Sequence, residues 1–122
     1  MVNTTRKGYM SQKKTQDFLL DLGWEDVYTA PRLKFRKNHD IFNAFDHVCR
    51  RGHKELYAQT KSNVCPKSVR DQIAKLKMPE GVKRIIVIWK DRKKNPTVII
   101  YKYSHGKEMD PITITDNFRR YL

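Results

Sequence analysis

The stretch from Asp40 to Ser62, DIFNAFDHVCRRGHKELYAQTKS, constrains the fold more than any other part of this chain. Two extended segments flank a loop centred on Gly52, which predicts an antiparallel β-hairpin. Strand side chains alternate between the two faces of a sheet, so Gln59 and Lys61 share one face, about 7 Å apart along the strand. Thr60 points to the opposite face.

The hairpin also brings a carboxylate to this polar pair. Six residues separate Asp46 from Gly52, and a similar number separates the turn from Gln59 and Lys61 on the returning strand. One carboxylate, one amide oxygen and one ammonium group are therefore expected at one corner. Carboxylate and neutral oxygens suit Mg²⁺, whose coordination is completed by water and substrate phosphates. A neighbouring lysine can orient an attacking water and neutralise charge that develops on a phosphate.

This corner resembles the P-D…(D/E)-x-K nuclease superfamily. The similarity is greatest to its Mrr-like and archaeal Holliday-junction-resolvase-like branch, some members of which carry Gln-x-Lys in this motif. The pattern D-x-F-x-x-F-D, from Asp40 to Asp46, is also similar to the D-x-F-G-x-F-D segment of small phage and archaeal members. Asn43 stands where Gly is common in the family, and Phe45 where Pro is common.

The resemblance implies a DNA endonuclease that hydrolyses phosphodiester bonds with Mg²⁺ or Mn²⁺. In this interpretation the metal is bound through Asp46 and through the Gln59 side chain or the backbone carbonyl of Thr60. Lys61 positions the attacking water. Asp40 is either a further metal ligand or an anchor for the substrate phosphate.

Two further sets of residues follow from the same resemblance. The family often has a Glu in its first helix, and Gln12 occupies that position here, where we expect an outer-shell hydrogen bond. Lys37, Lys67 and Arg70 are predicted to hold the DNA backbone, and a homodimer would allow both strands to be cut. Because Gln12 and Gln59 replace acids, the alternative is a catalytically inactive nucleic-acid-binding protein of the same fold.

The charge of the chain favours a polyanionic partner independently of the motif. The 122 residues include 26 Lys and Arg against 13 Asp and Glu, a net charge of +13. Lys and Arg bind phosphates with release of counterions, so we expect salt-sensitive binding to duplex or branched DNA. An anionic membrane surface or a ribosome is a more distant alternative.

Length and patterning indicate one domain over residues 1–122, with a basic, flexible arm at residues 1–7. No apolar stretch approaches the roughly 20 residues of a membrane span, and the N-terminus lacks the apolar core of a signal peptide. We therefore expect a cytoplasmic protein that does not enter membranes. Cys49 and Cys65 form no C-x-x-C pair, so reduced thiols are expected.

Hydrophobic periodicity predicts the remaining elements. With the hairpin strands included, the order is helix, three strands, helix and two strands. It contains the αβββαβ order of the nuclease superfamily core, and the resemblance covers residues 8–103. The predicted fold is thus α/β, restriction-endonuclease-like, with a mixed sheet flanked by helices. Outside the hairpin, the predicted helices are Tyr9–Leu22, Pro66–Lys77 and a short one in Asp116–Leu122. The predicted strands are Trp24–Pro31, followed by a loop or strand extension over residues 33–37, Val82–Trp89 and Val98–Tyr103.

One alternative for the polar residues is a zinc site. His47, Cys49, His53 and Cys65 are potential ligands, but their spacing matches no common zinc motif. Because His47 and Cys49 are predicted strand residues, a structural role is the better interpretation.

Two other groups have both a structural and a functional interpretation. Trp89, Tyr101 and Tyr103 would stack on bases or pack in the sheet, and packing is favoured because aromatic residues are common in strands. The basic run Arg92–Lys94 either grips a phosphate backbone or solvates a turn.

Overall fold

A computed structural model describes residues 4–29 and 45–122 of the chain. Predictions for Lys37, Asp40 and the extension over residues 33–37 lie outside the described residues. In chain order the elements are α1 (Thr4–Asp21), β1 (Glu25–Thr29), β2 (His47–Arg51), β3 (Lys54–Ser62), α2 (Lys67–Lys75), β4 (Lys83–Trp89), β5 (Thr97–Ser104), β6 (Lys107–Glu108), β7 (Ile112–Ile114) and α3 (Phe118–Tyr121).

Helix α1 begins earlier than predicted, at Thr4 rather than Tyr9. Residues 4–7 of the expected basic arm are helical, whereas residues 1–3 lie outside the described part. Once a helix is nucleated, each added residue costs little, and the Arg and Lys of this segment are good helix formers. The helix ends at Asp21, and Gly23 follows as the predicted C-terminal stop, with a φ of +94° that suits a left-handed residue.

The predicted hairpin is confirmed. Strands β2 and β3 are antiparallel, with Arg51 paired with Lys54 across the turn and His47 paired with Ala58. Gly52 lies in the turn with a φ of +62°, a conformation that costs glycine little. Strand β1 extends the sheet by pairing antiparallel with β2.

Strand β4 runs parallel to β3 and antiparallel to β5, so the sheet is mixed. The parallel connection passes through α2, as such connections require a crossover. The strand order is β1-β2-β3-β4-β5-β6, and β7 pairs with β5. From Arg84 to Ile88 all of β4 is buried, which confirms the prediction of a strand covered on both faces.

Each face of the sheet carries its own hydrophobic core. Leu19 of α1 packs with Leu56, Ala58 and Ile85 on one face, and Ile73 of α2 packs with a second cluster on the other. This confirms a mixed sheet between helices. The short strands β6 and β7 were not predicted, because their two and three residues give too little periodicity to detect.

Arg84 is the largest departure from the expected apolar interior. Its side chain is fully buried, and Nη1 donates to the carbonyl oxygens of Ile73 at 2.8 Å and Leu76 at 2.6 Å, at the C-terminal end of α2. Nη2 forms an ion pair with Glu108 of β6. The guanidinium thus donates to carbonyls at the C-terminal end of the helix, where a cation is favoured, and ties α2 to the sheet.

Candidate active site

The residues of the predicted corner lie where β2 begins beside β3. The backbone N–H of Asp46 donates to the carbonyl oxygen of Ala58 at 2.9 Å. Its carboxylate Oδ2 in turn accepts a hydrogen bond from the backbone N–H of Thr60 at 3.1 Å. Asp46 is therefore fixed against the part of β3 that carries Gln59 and Lys61, as the hairpin geometry predicted.

Gln59 has a buried oxygen without a partner. Its side chain is 8% exposed, and within the described part of the chain Oε1 makes no hydrogen bond. A buried polar atom left unsatisfied costs roughly 1–3 kcal/mol, so proteins rarely retain one without a reason. This amide oxygen lies on the strand that holds the Asp46 carboxylate. The pair suits a cation, which would coordinate the oxygen in place of a hydrogen-bond donor.

Gln59 and Lys61 lie on the α2 face of the sheet. Tyr57, two residues earlier on β3, packs into the α2-side core, and alternation puts the two site residues on the same side. Lys61 is half-buried, and its charge lies close enough to Cys65 to oppose the rise in the pKa of that thiol caused by burial. The ammonium group therefore lies near Cys65, in the loop that joins β3 to α2.

A hydrogen-bond network supports the corner from the opposite face. Thr60 Oγ1 donates to Thr15 Oγ1 at 2.8 Å and lies 3.0 Å from His47 Nε2. His47 Nδ1 lies 2.9 Å from Thr29 Oγ1, and Trp89 Nε1 donates to Thr15 Oγ1 at 2.8 Å. The network thus links β1, β2, β4 and α1 to Thr60 of β3, whose backbone N–H binds Asp46.

Sequence reasoning missed this network and weighed His47 as a zinc ligand. Both ring nitrogens instead lie within hydrogen-bond distance of threonine hydroxyls, and burial lowers the pKa of His47 to about 4. Among the residues described, no group of three His, Cys, Asp or Glu side chains is placed to hold a metal ion. The sequence signal for this network was the presence of hydroxyl residues in the predicted helix and strands, at Thr15, Thr29 and Thr60.

Gln12 lies on α1, on the other side of the sheet from Gln59. It is buried, and its neighbour Ser11 has Oγ 2.6 Å from Ser62 Oγ, so this part of α1 lies against the end of β3. Its outer-shell role remains a prediction.

The remaining predicted binding residues divide into exposed and buried groups. Lys67 and Arg70 are exposed on α2, as is the turn Arg92–Lys94. Tyr101 is buried in the α2-side core, and Trp89 packs edge-on against Phe18, so structural packing is confirmed for both aromatic residues.

Comparison with known proteins identifies the fold. No protein family and no curated protein sequence matches this chain. The structure is similar to that of Hjc, a Holliday junction resolvase from the archaeal hyperthermophile Archaeoglobus fulgidus. The TM-score is 0.51 over 93% of both chains, at 10% sequence identity. This similarity confirms the predicted fold class, a mixed sheet flanked by helices. No helix in the described ranges is long and apolar enough to cross a membrane.

Proposed function

We propose that the protein is a metal-dependent DNA endonuclease that hydrolyses phosphodiester bonds. The observation that carries this proposal is the position of the Asp46 carboxylate, hydrogen-bonded to β3 at Thr60, beside Gln59, whose buried Oε1 has no hydrogen-bond partner among the described residues. Lys61 follows two residues later on the same face. The similarity in fold to a Holliday junction resolvase supports branched DNA as one substrate to test.

The donor set fits Mg²⁺ or Mn²⁺. Asp46 would supply a charged oxygen, while Gln59 Oε1 and the Thr60 carbonyl would supply neutral ones, and Asp40 would be a further ligand or a phosphate anchor. Such a cation bound at the corner stabilises negative charge on a phosphate and increases the acidity of water.

The chain's own residues would orient the substrate around that cation. Lys61 would hold the attacking water and offset charge developing on the phosphate, at a point that β3 and α2 partly shield from solvent. Lys67 and Arg70, exposed on the adjoining helix, would hold the DNA backbone together with Lys37. Gln12 would contribute an outer-shell hydrogen bond.

Cleavage assays with matched variants test this function. Supercoiled, linear and four-way-junction DNA would be incubated with Mg²⁺, with Mn²⁺ and with EDTA. We expect metal-dependent cleavage that Asp46→Asn and Lys61→Ala each reduce by at least about 100-fold, the usual range for loss of a group acting at the reacting centre. The controls Asp17→Asn and Lys107→Ala, at exposed positions, should cleave normally. Equal cleavage by Asp46→Asn and Asp17→Asn would contradict the proposed site.

A non-catalytic nucleic-acid-binding protein is the second candidate. The amides at Gln12 and Gln59 favour it, because each stands where related nucleases often have an acid. It predicts salt-sensitive binding to DNA with little sequence preference and no cleavage under any of the three metal conditions. Sedimentation of the protein alone and with DNA would test the proposed homodimer in either case. A cytoplasmic location remains a prediction.

A further inference from the structure

A second basic site lies far from the candidate active site. A cavity of about 400 Å³ opens between the start of β4, the end of β5 and α3. Three cationic side chains line it, together with apolar surface that is partly exposed to solvent. The residues that matter are Lys83, Lys102 and Arg120 for the charge, and Met109, Ile112 and Tyr121 for the apolar surface.

The cations are brought together by the sheet itself. Lys83 and Lys102 are directly paired across β4 and β5, so their side chains lie on the same face. Lys83 Nζ donates to the backbone carbonyl oxygen of Tyr121 at 2.6 Å, which holds the ammonium at the cavity wall. Burial lowers the pKa of Lys83, and the charges of Lys102, Lys54 and Arg51 lower it further. Like charges are thus crowded around a partly desolvated ammonium.

Among the described residues, this crowding is offset by the Tyr121 carbonyl and one carboxylate. Within residues 4–29 and 45–122, no ion pair joins Lys83, Lys102 or Arg120 to a carboxylate. Asp110 also lines the cavity and is exposed, so three cations face one carboxylate. A bound anion would relieve the repulsion, and phosphate groups are the anions that Lys and Arg clusters recognise best.

The apolar part of the wall restricts the ligand further. Met109 is 39% exposed and Ile112 is 47% exposed, although both adjoin a cavity large enough for a small molecule. A bare phosphate would leave this surface in water. We propose that the pocket binds one nucleotide unit, with its phosphate held by Lys83, Lys102 and Arg120 and its base against Met109, Ile112 and Tyr121.

The pocket is separate from the site of the proposed cleavage. Lys83 lies two residues before Ile85 on β4, and Lys102 lies two residues after Ile100 on β5. Because Ile85 and Ile100 belong to the α1-side core, both lysines lie on the α1 face of the sheet, whereas Lys61 lies on the α2 face. Lys61 pairs with Ile88, five residues beyond Lys83 on β4, or about 17 Å along the strand. The pocket therefore holds a different phosphate from the one at the corner, and this inference does not depend on endonuclease activity.

A titration of the full chain with AMP tests the proposal directly. In protein carrying ¹³C-methyl methionine, AMP should shift the Met109 methyl signal and leave those of Met10 and Met78 unchanged. Adenosine and inorganic phosphate, each lacking half of the ligand, should bind at least about tenfold more weakly than AMP, since each loses one set of contacts. Absence of a Met109 shift at millimolar AMP would overturn the proposal, whatever the behaviour of any variant.

Paired double variants distinguish binding in this pocket from attraction by the overall positive charge. Lys102→Ala with Arg120→Ala should weaken AMP binding at least about tenfold, whereas Lys13→Ala with Lys90→Ala removes the same charge from exposed positions and should change AMP binding less than about twofold. Equal weakening by the two pairs would overturn the proposal. Thermal unfolding would verify that both pairs are folded.

A short oligonucleotide then identifies the source of the nucleotide. If a five-residue single-stranded oligodeoxyadenylate displaces AMP and shifts Met109, the pocket takes a nucleotide from a strand. If AMP binds and the strand does not displace it, the ligand is a free nucleotide. AMP binding should be unchanged by Asp46→Asn, so failure of the cleavage assay and failure of this proposal are distinguishable.

Discussion

Two adjacent residues of β3 differ completely in how their polar groups are satisfied. Thr60 contacts Thr15 and His47 through its hydroxyl and holds Asp46 through its amide. Gln59, on the other face, buries an oxygen without a partner in the described structure. The comparison teaches that one face of the strand fixes the geometry, while the other leaves a buried oxygen available to the proposed metal ion. The following predictions test this division.

The largest expected effect on stability comes from His47. Its pKa is about 4 in the folded protein, against 6.5 for an ordinary histidine, so below pH 6.5 the unfolded chain binds a proton that the folded protein does not. Stability from this residue is complete above pH 6.5 and falls as the pH drops toward 4. The loss should reach about 3 kcal/mol, from 1.36 kcal/mol per pKa unit.

Urea unfolding at several pH values in EDTA measures this loss. The difference between wild type and His47→Gln should shrink by most of that amount between pH 7 and pH 4. His53→Gln, in the exposed turn, should follow wild type throughout. Parallel pH curves for wild type and His47→Gln would show that His47 does not control the acid sensitivity.

A smaller loss is expected from Thr60→Val, which keeps the shape and removes the hydroxyl. His47 Nε2 and Thr15 Oγ1 then lose a partner in a buried place, which should lower the free energy of unfolding by about 2 kcal/mol. Thr113→Val, an exposed strand position, is the matched control and should change it little. Similar denaturation midpoints for the two variants would mean that the network adds no stability.

The smallest change, of opposite sign, is expected from Gln59→Leu. Because the substitution removes a buried oxygen that has no hydrogen-bond partner in residues 4–29 and 45–122, metal-free protein should gain about 1 kcal/mol of stability. Calorimetric binding of Mn²⁺ and DNA cleavage should both decrease. Gln72→Leu, exposed on α2, should give no such gain. Reduced stability together with undiminished metal binding would show that the Gln59 oxygen is structural.

The sequence was informative where the geometry is local. The hairpin joins Asp46 to Gln59 through one tight turn, so alternation and residue counting predicted their proximity. The burial of Arg84 could not be predicted in this way, because its partners are carbonyls of α2 and a carboxylate of β6 that only the tertiary fold brings together. A Lys-Arg pair before an apolar run looks like the exposed start of a strand.

The same limit applies to the network beneath the corner. Thr15, Thr29 and His47 lie on different elements, and hydroxyl groups have no spacing that marks a shared hydrogen bond across such distances. The polar corner was therefore predictable as a position. The contacts that hold the corner in place were not predictable, since they join α1, β1 and β4.

Arg84 also has a mechanical consequence for nucleic-acid binding. A polyanion held by Lys67 and Arg70, as proposed, would pull on α2, and the guanidinium would pass that force from the end of the helix to the central strand. Tilting α2 would strip a buried cation of its acceptors, at a cost well above that of a surface contact. The helix and the sheet should therefore move as one body, so that the distances from Lys67 and Arg70 to Lys61 stay constant when DNA binds.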